Sequence, residues 1–238
     1  MVPRDPERRG GAPGRPVTRW GPGREASRGT GRVEAFSDAV IAIMLTLLAV
    51  ELLKFDPAAA RDHGLLVELT RRWPSYLAFG LTFVVVGQIW MTHHNLWRYI
   101  AKVDQGICIL NLLLMAFLAV TPFAAEILAD SFAALPRADQ RVAASLYSTV
   151  MLGQAIAFNI ILWWARRRDL LDPRVDDRLY RAIAVRYLYG PSIYAAAFLV
   201  GLFMPVLGMA CYVAVILLYL RPGPGDLPPG HASVETVE

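Results

Sequence analysis

The stretch RVEAFSDAVIAIMLTLLAVELL, residues 32–53, decides how the rest of the chain is read. Its apolar centre runs only from Ala39 to Val50, and Asp38 and Glu51 bracket it. That is about 18 Å of helix, thin for a lipid-facing span across ~30 Å of hydrocarbon. Carboxylates this close to the centre place the helix inside a bundle or along water. Projected at about 100° per residue, Ile43, Leu47 and Val50 fall within about 60° of one another, with Thr46 on the flank. Ala39 and Val40 continue the stripe inward, and Ser37 and Asp38 lie on the opposite side. Periodicity alone leaves two readings open. The commoner is a stripe packed into a bundle core; the other is a wall along water.

The composition sets the solvent. Of 238 residues, 55% are hydrophobic and 18% charged, with a mean hydropathy of +0.40. A soluble domain carries about 25% charged residues, and the charges here cluster between long apolar runs. Lipid, not water, is the expected surroundings. The net charge of +4 and pI near 9.3 come without zinc spacing or an RNP-like motif, so nucleic acid is not an expected partner. Cys108 and Cys211 both lie in apolar runs and read as small buried hydrophobes.

Six apolar segments are predicted to cross the membrane, at about residues 33–53, 74–96, 105–128, 143–165, 184–203 and 205–220. The expected fold is therefore an all-α membrane protein with six transmembrane helices per subunit. Met204–Pro205 alone separates the last two, which predicts a tight hairpin. Residues 1–31, rich in Gly, Pro and Arg, read as a disordered basic tail without a signal-peptide core. Residues 32–221 are expected to form the six-helix transmembrane domain, and 222–238 a second disordered tail. The mixed segment 54–73 predicts a short amphipathic helix at the outer surface. Arg98 and Lys102, the seven arginines between Arg166 and Arg186, and the basic N-terminal tail outweigh the basic residues of the alternate loops. Both termini are therefore expected in the cytoplasm. Trp73, Trp90, Trp97, Trp163 and Trp164 are expected to be interface anchors.

The pattern Arg32-x-x-x-Phe36-Ser37-Asp38-x-Val40-x-Ala42-Ile43-x-x-Thr46-Leu47-Leu48 resembles the first helix of the TMEM175 family of potassium channels. Trp90-x-x-His93-His94-Asn95 in the second span adds to the likeness. Asp104, Asn111-Leu112 and Pro122-Phe123 extend it into the third. The resemblance implies a homotetramer of six-helix subunits in a prokaryotic plasma membrane, with the first helices around a potassium-permeable pore. It implies an aliphatic constriction at Ile43, Leu47 and Val50, and a hydroxyl layer at Thr46. The third position is Val where a bulkier Leu can occur, which predicts a wider outer layer. The residues are consistent with this. No TVGYG-like loop occurs, and a ring of aliphatic side chains can gate by dewetting. Preference for potassium over sodium is expected to be modest.

Arg32, Phe36, Ser37 and Asp38 with His93, His94, Asn95 and Asn111 are the candidates for a polar network at the cytoplasmic end. Asp38 needs a partner, for which Arg32 or a histidine is expected. Adjacent histidines diverge by about 100° on a helix and cannot chelate one ion together, so neither a metal site nor any cofactor beyond permeant potassium is expected. Gln154, Asn159 and Gly190-Pro191 read as packing and kink features. No nucleophile–base spacing or phosphate loop points to an enzyme. The alternative reading is a secondary or proton-coupled transporter, which should show paired helix breaks in two halves; none stands out.

Overall fold

The computed structural model describes residues 22–52 and 57–219. These form eight helices: α1 Pro22–Glu51, α2 Pro57–His63, α3 Leu65–Arg71, α4 Trp73–Tyr99, α5 Gln105–Ala134, α6 Arg137–Arg167, α7 Asp177–Gly201 and α8 Pro205–Tyr219. The molecule is all-helical, and α1, α4, α5, α6 and α7 are long and apolar enough to cross a bilayer. The sixth segment is helical over the 15 residues of α8, about 22 Å, which by length falls short of ~30 Å.

The helices overrun the apolar segments that predict them. Once a membrane helix is nucleated, each further residue adds a backbone bond at little cost, so α6 begins at Arg137 and α7 at Asp177 among polar residues. The same overrun corrects the expected N-terminal tail. Residues 22–31 belong to α1, which opens on Pro22, a residue suited to a first helical turn. Residues 1–21, 220–238 and Lys54 lie outside the described residues. The expected outer-surface helix is two short ones, α2 and α3, divided at Gly64. Its φ of 87° is a left-handed conformation that glycine adopts without a Cβ clash.

The core lies around α5 and α6. Leu114, Leu118, Met151 and Ala165 are fully buried there. α1 packs on α4 and α5, α7 on α6, and α8 on α7. Several polar groups inside the bundle find partners on a neighbouring helix, as a non-aqueous surrounding favours. The Tyr147 hydroxyl on α6 lies 3.0 Å from Thr82 Oγ1 on α4, and Tyr212 on α8 donates to Ser148 at 2.8 Å. Pro191 has no N–H for the carbonyl of Tyr187 one turn back. Asn159 on α6 donates to that carbonyl at 3.0 Å. Beside Pro122 in α5, Gln154 donates to Thr121 Oγ1 at 2.8 Å. Of the two amides expected to be packing features, Asn159 thus mends a proline break, and Gln154 ties α6 to α5 beside one.

The loops at the inner end clasp one another. Ala101 and Lys102 donate backbone bonds to Leu170, and Asp172 donates to Tyr99. Trp73 and Trp163 are half exposed, as interface anchors are. Trp97 corrects the expectation: it is only 5% exposed, because its indole bonds to a buried histidine of its own helix.

At the opposite end the α7–α8 hairpin closes on glycine. A Cβ on Gly208 would lie 2.8 Å from Gly201 Cα and 2.9 Å from the Ala197 carbonyl oxygen. The neighbours are backbone and cannot swing aside. Gly208→Ala should therefore destabilise the folded protein by about 1–3 kcal/mol. Gly80→Ala, where nothing lies within 4 Å, should be neutral or slightly stabilising. Paired thermal-unfolding midpoints in detergent check this, and equal midpoints would contradict the close packing.

Candidate functional site

α1 has two unlike faces. Ser37, Ile41, Met44 and Leu48 are at most 2% exposed and recur at the spacing of one helix side. They pack against α4 and α5. On the other side Ile43 is 60% exposed, and Leu47 and Val50 are each 47% exposed. The stripe is therefore not part of the subunit's own core. Thr46 lies on the exposed side as well, and its hydroxyl donates to the Ile43 carbonyl at 2.6 Å. That bond turns the proton back toward the helix and leaves the oxygen lone pairs facing away.

The buried face ends in a chain of polar contacts at the inner end. Ser37 Oγ donates to the Val33 carbonyl at 2.9 Å and accepts from Asn111 Nδ2 at 2.8 Å. Asn111 Oδ1 lies 3.1 Å from His93 Nε2, and Trp97 Nε1 donates to that same nitrogen at 2.8 Å. Ser37, His93 and Asn111 are each no more than 1% exposed. The two contacts at Nε2 make opposite demands. Trp97 needs a lone pair there, whereas Asn111 Oδ1 needs a proton. Only one can be a hydrogen bond in a given tautomer, and His93 Nδ1 has no partner within the bundle.

A second pair of contacts runs along the surface beside this chain. Trp90 Nε1 donates to Asp38 Oδ1 at 3.0 Å, and His94 Nδ1 lies 3.0 Å from Glu34 Oε1. The Trp90 and His94 rings stack with centroids 6.1 Å apart. Asp38 thus takes an indole, correcting the expectation of Arg32 or a histidine. Trp90 is the contributor that the sequence reading missed as a site residue; its i, i+4 spacing to His94 was the available signal.

The remaining candidates sit elsewhere. Arg32 is exposed and has no hydrogen-bond or ion-pair partner among the described residues. With the half-exposed Phe36 it lines an open groove of about 490 Å³ that reaches Asn111 and Leu112. Asn95 is partly buried on α4, outside the Ser37–Asn111–His93 chain.

Residues 32–122 match the family described as endosomal/lysosomal potassium channel TMEM175. A Streptomyces collinus protein named as a potassium channel is 41% identical over 68% of this chain and 77% of its own length. A Chamaesiphon minutus protein, also named as a potassium channel, is 36% identical over 81% of this chain and 94% of its own. The chain belongs to the TMEM175 family. The crystal structure of a lysosomal potassium-selective channel TMEM175 homolog from Chamaesiphon minutus superposes with a TM-score of 0.71, at 31% identity, covering 81% of this chain and 97% of that one. The Gallus gallus relative is named as an endosomal/lysosomal proton channel; it is 34% identical, and the chain spans 30% of its length. The family match lies over α1, α4 and the first half of α5, where the contacts above occur.

Asp104, which the family match includes, acts outside the membrane segments. It caps α5 by accepting from the Ile107 N–H at 2.8 Å, accepts from the Trp164 indole, and lies 3.7 Å from Arg168 Nε. Partial burial works to raise its pKa. The Ile107 and Trp164 hydrogen bonds and the Arg168 charge outweigh burial and hold the carboxyl below its ordinary value.

Two predictions follow from this geometry. Asn111→Leu removes the one side chain that joins α1, α4 and α5, and should lower unfolding stability by about 1–3 kcal/mol, read by thermal or denaturant unfolding in detergent. Asp104 stabilises the fold above the ordinary carboxylate pKa of about 3.9. As pH falls, the unfolded chain takes up this proton first, so stability declines until the depressed folded value is passed. Asp104→Asn should flatten that part of the curve of unfolding midpoint against pH, and an unchanged slope would contradict the assignment.

Proposed function

We propose that the protein is a potassium-permeable channel of the plasma membrane. Four copies place the exposed face of α1 around a shared axis. The observation that carries the reading is the exposure of Ile43, Leu47 and Val50 on a helix whose opposite face is fully packed. A row of branched aliphatics left outside the subunit core is what an axial constriction requires. The names of the bacterial relatives, matched over 77% and 94% of their lengths, supply the ion. The crossing of α8 and the cytoplasmic placement of both termini are part of the same proposal. The basic inner loops support the orientation.

In this reading the rings of Ile43, Leu47 and Val50 close the path by excluding water. Val50, the smallest, makes the widest ring. Thr46 contributes a layer of hydroxyl oxygens whose protons are already committed to the Ile43 carbonyls. Such a layer offers lone pairs to a passing cation and no donor to repel it. It is short and uncharged, so discrimination between potassium and sodium is modest. The contacts from Glu34, Ser37 and Asp38 to α4 and α5 hold the pore helix at its inner end.

The test is ion flux through purified protein in planar bilayers, with potassium and sodium on opposite sides. Wild-type protein should pass potassium more readily than sodium. Leu47→Asn should raise basal conductance several-fold by wetting the ring. Thr46→Val should bring the two permeabilities toward equality. No flux through folded, reconstituted protein would overturn the proposal. Saturating, low-turnover flux would favour a transporter instead. The names of the animal relatives give one reason to measure proton current in the same bilayers.

A further inference from the structure

A cavity of about 30 Å³ lies between α4, α6 and α7, with Ile89, Thr92, Gln154, Phe158, Tyr187 and Tyr194 among its lining residues. α1 takes no part in it, so it is separate from the face proposed to line the pore. Gln154 is 1% exposed. Its amide nitrogen is committed to Thr121 Oγ1 at 2.8 Å and, at 3.4 Å, to the Phe117 carbonyl. Its Oε1 has no hydrogen-bond partner among the described residues. Two other polar lining groups have spent their protons. Thr92 Oγ1 donates to the Gln88 carbonyl at 3.0 Å, and the Tyr187 hydroxyl donates to the Thr92 carbonyl at 3.3 Å. Thr92 Oγ1 keeps a lone pair that can accept. Gln88 lines the cavity as well.

Two acceptors at Gln154 Oε1 and Thr92 Oγ1 suit a guest that donates. A buried unpaired carbonyl oxygen costs on the order of 1–3 kcal/mol, and more where lipid excludes bulk water. A water molecule needs roughly 10–15 Å³ and two to four polar partners, and this cavity supplies both. The uncharged lining argues against a cation, which would be buried without a counter-charge.

We propose that this cavity is a binding site for a single buried water. The water donates to Gln154 Oε1 and to Thr92 Oγ1, and so bridges α4 and α6 beside α7. The site should be filled whatever the state of the proposed pore.

Crystals of the intact protein test this in three arms. High-resolution diffraction should show one water peak within hydrogen-bond distance of Gln154 Oε1. Xenon-pressurised crystals should show no xenon there, since a hydrated polar cavity does not take an apolar gas. Crystals grown with thallium in place of potassium should show no anomalous peak. A xenon peak would mean that the cavity is dry, and a thallium peak that it holds a cation; either overturns the proposal. In Gln154→Met, which keeps the length but removes the acceptor, the water peak should fall to background. Its persistence at full occupancy would also overturn the assignment, and the wild-type arms decide the matter if the variant does not fold.

Discussion

The orientation of α1 about its own axis depends on Asn111. This side chain on α5 donates to Ser37 on α1 and lies against His93 on α4, so three helices meet at one buried amide. At about 100° per residue, a slip of one position would swing Ser37 away from α5. It would also carry the Ile41–Met44–Leu48 face out of its packing. Hydrophobic contact alone is a weak guide here, because lipid is as apolar as the neighbouring helices and favours no particular rotation. A directional hydrogen bond at a buried site supplies what packing lacks. The Trp90–Asp38 and His94–Glu34 contacts repeat the constraint at the next residue of α1 and about one turn before it. Which side chains of α1 remain exposed follows from this lock.

Much of α1 was legible in the sequence because a helix face is a local property. The spacing of Ile43, Leu47 and Val50 predicts one surface, and the structure leaves all three exposed together. Periodicity could not say whether that surface packs within the subunit, since that depends on how α4 and α5 sit beside it. The polar partners were less legible for the same reason. Ser37, His93 and Asn111 were recognisable as polar residues in apolar runs, and they do meet. Asp38 was assigned to a charged or titratable partner, because a carboxylate in a membrane usually finds one. An indole N–H satisfies it equally in geometry: Arg32 lies about 240° around the same helix from Asp38, whereas the register of α1 against α4 brings Trp90 into reach. Trp97 shows the converse. Its position near a segment end suggests an interface anchor, but one turn separates it from His93, and that bond holds it in the core. The ends of helices were misplaced outward and inward because hydropathy marks the lipid boundary, whereas the backbone ladder continues past it.

The proline breaks show a second constraint of the solvent. In water a carbonyl freed by Pro191 would be hydrated. In the bundle it must be met from a neighbouring helix, and Asn159 meets it. Gln154 donates to the Thr121 hydroxyl beside Pro122 and so ties α6 to α5 there. These amides sit on α6, the helix with the most extensive burial, so the helix that tolerates the polar side chains is the one whose packing best excludes lipid from them.

Along its length α1 is held unevenly. Toward its N-terminal end it has side-chain bonds at Glu34, Ser37 and Asp38. At its C-terminal end Arg72 Nη1 donates to the Leu52 carbonyl at 3.2 Å, taking up one of the carbonyls that a helix end leaves without an intrahelical donor. Between these ties Ile41, Met44 and Leu48, with the partly buried Val40 and Leu45, attach it by shape. Ile43, Leu47 and Val50 all lie in that middle section. A bend or small rotation there rearranges aliphatic contacts and breaks no side-chain hydrogen bond between helices among the described residues. Ala39, Ala42 and Ala49 on the outer side present little bulk to obstruct it. On the proposed pore geometry, the constriction therefore occupies the part of the helix that can move most cheaply, while both ends stay registered to the bundle.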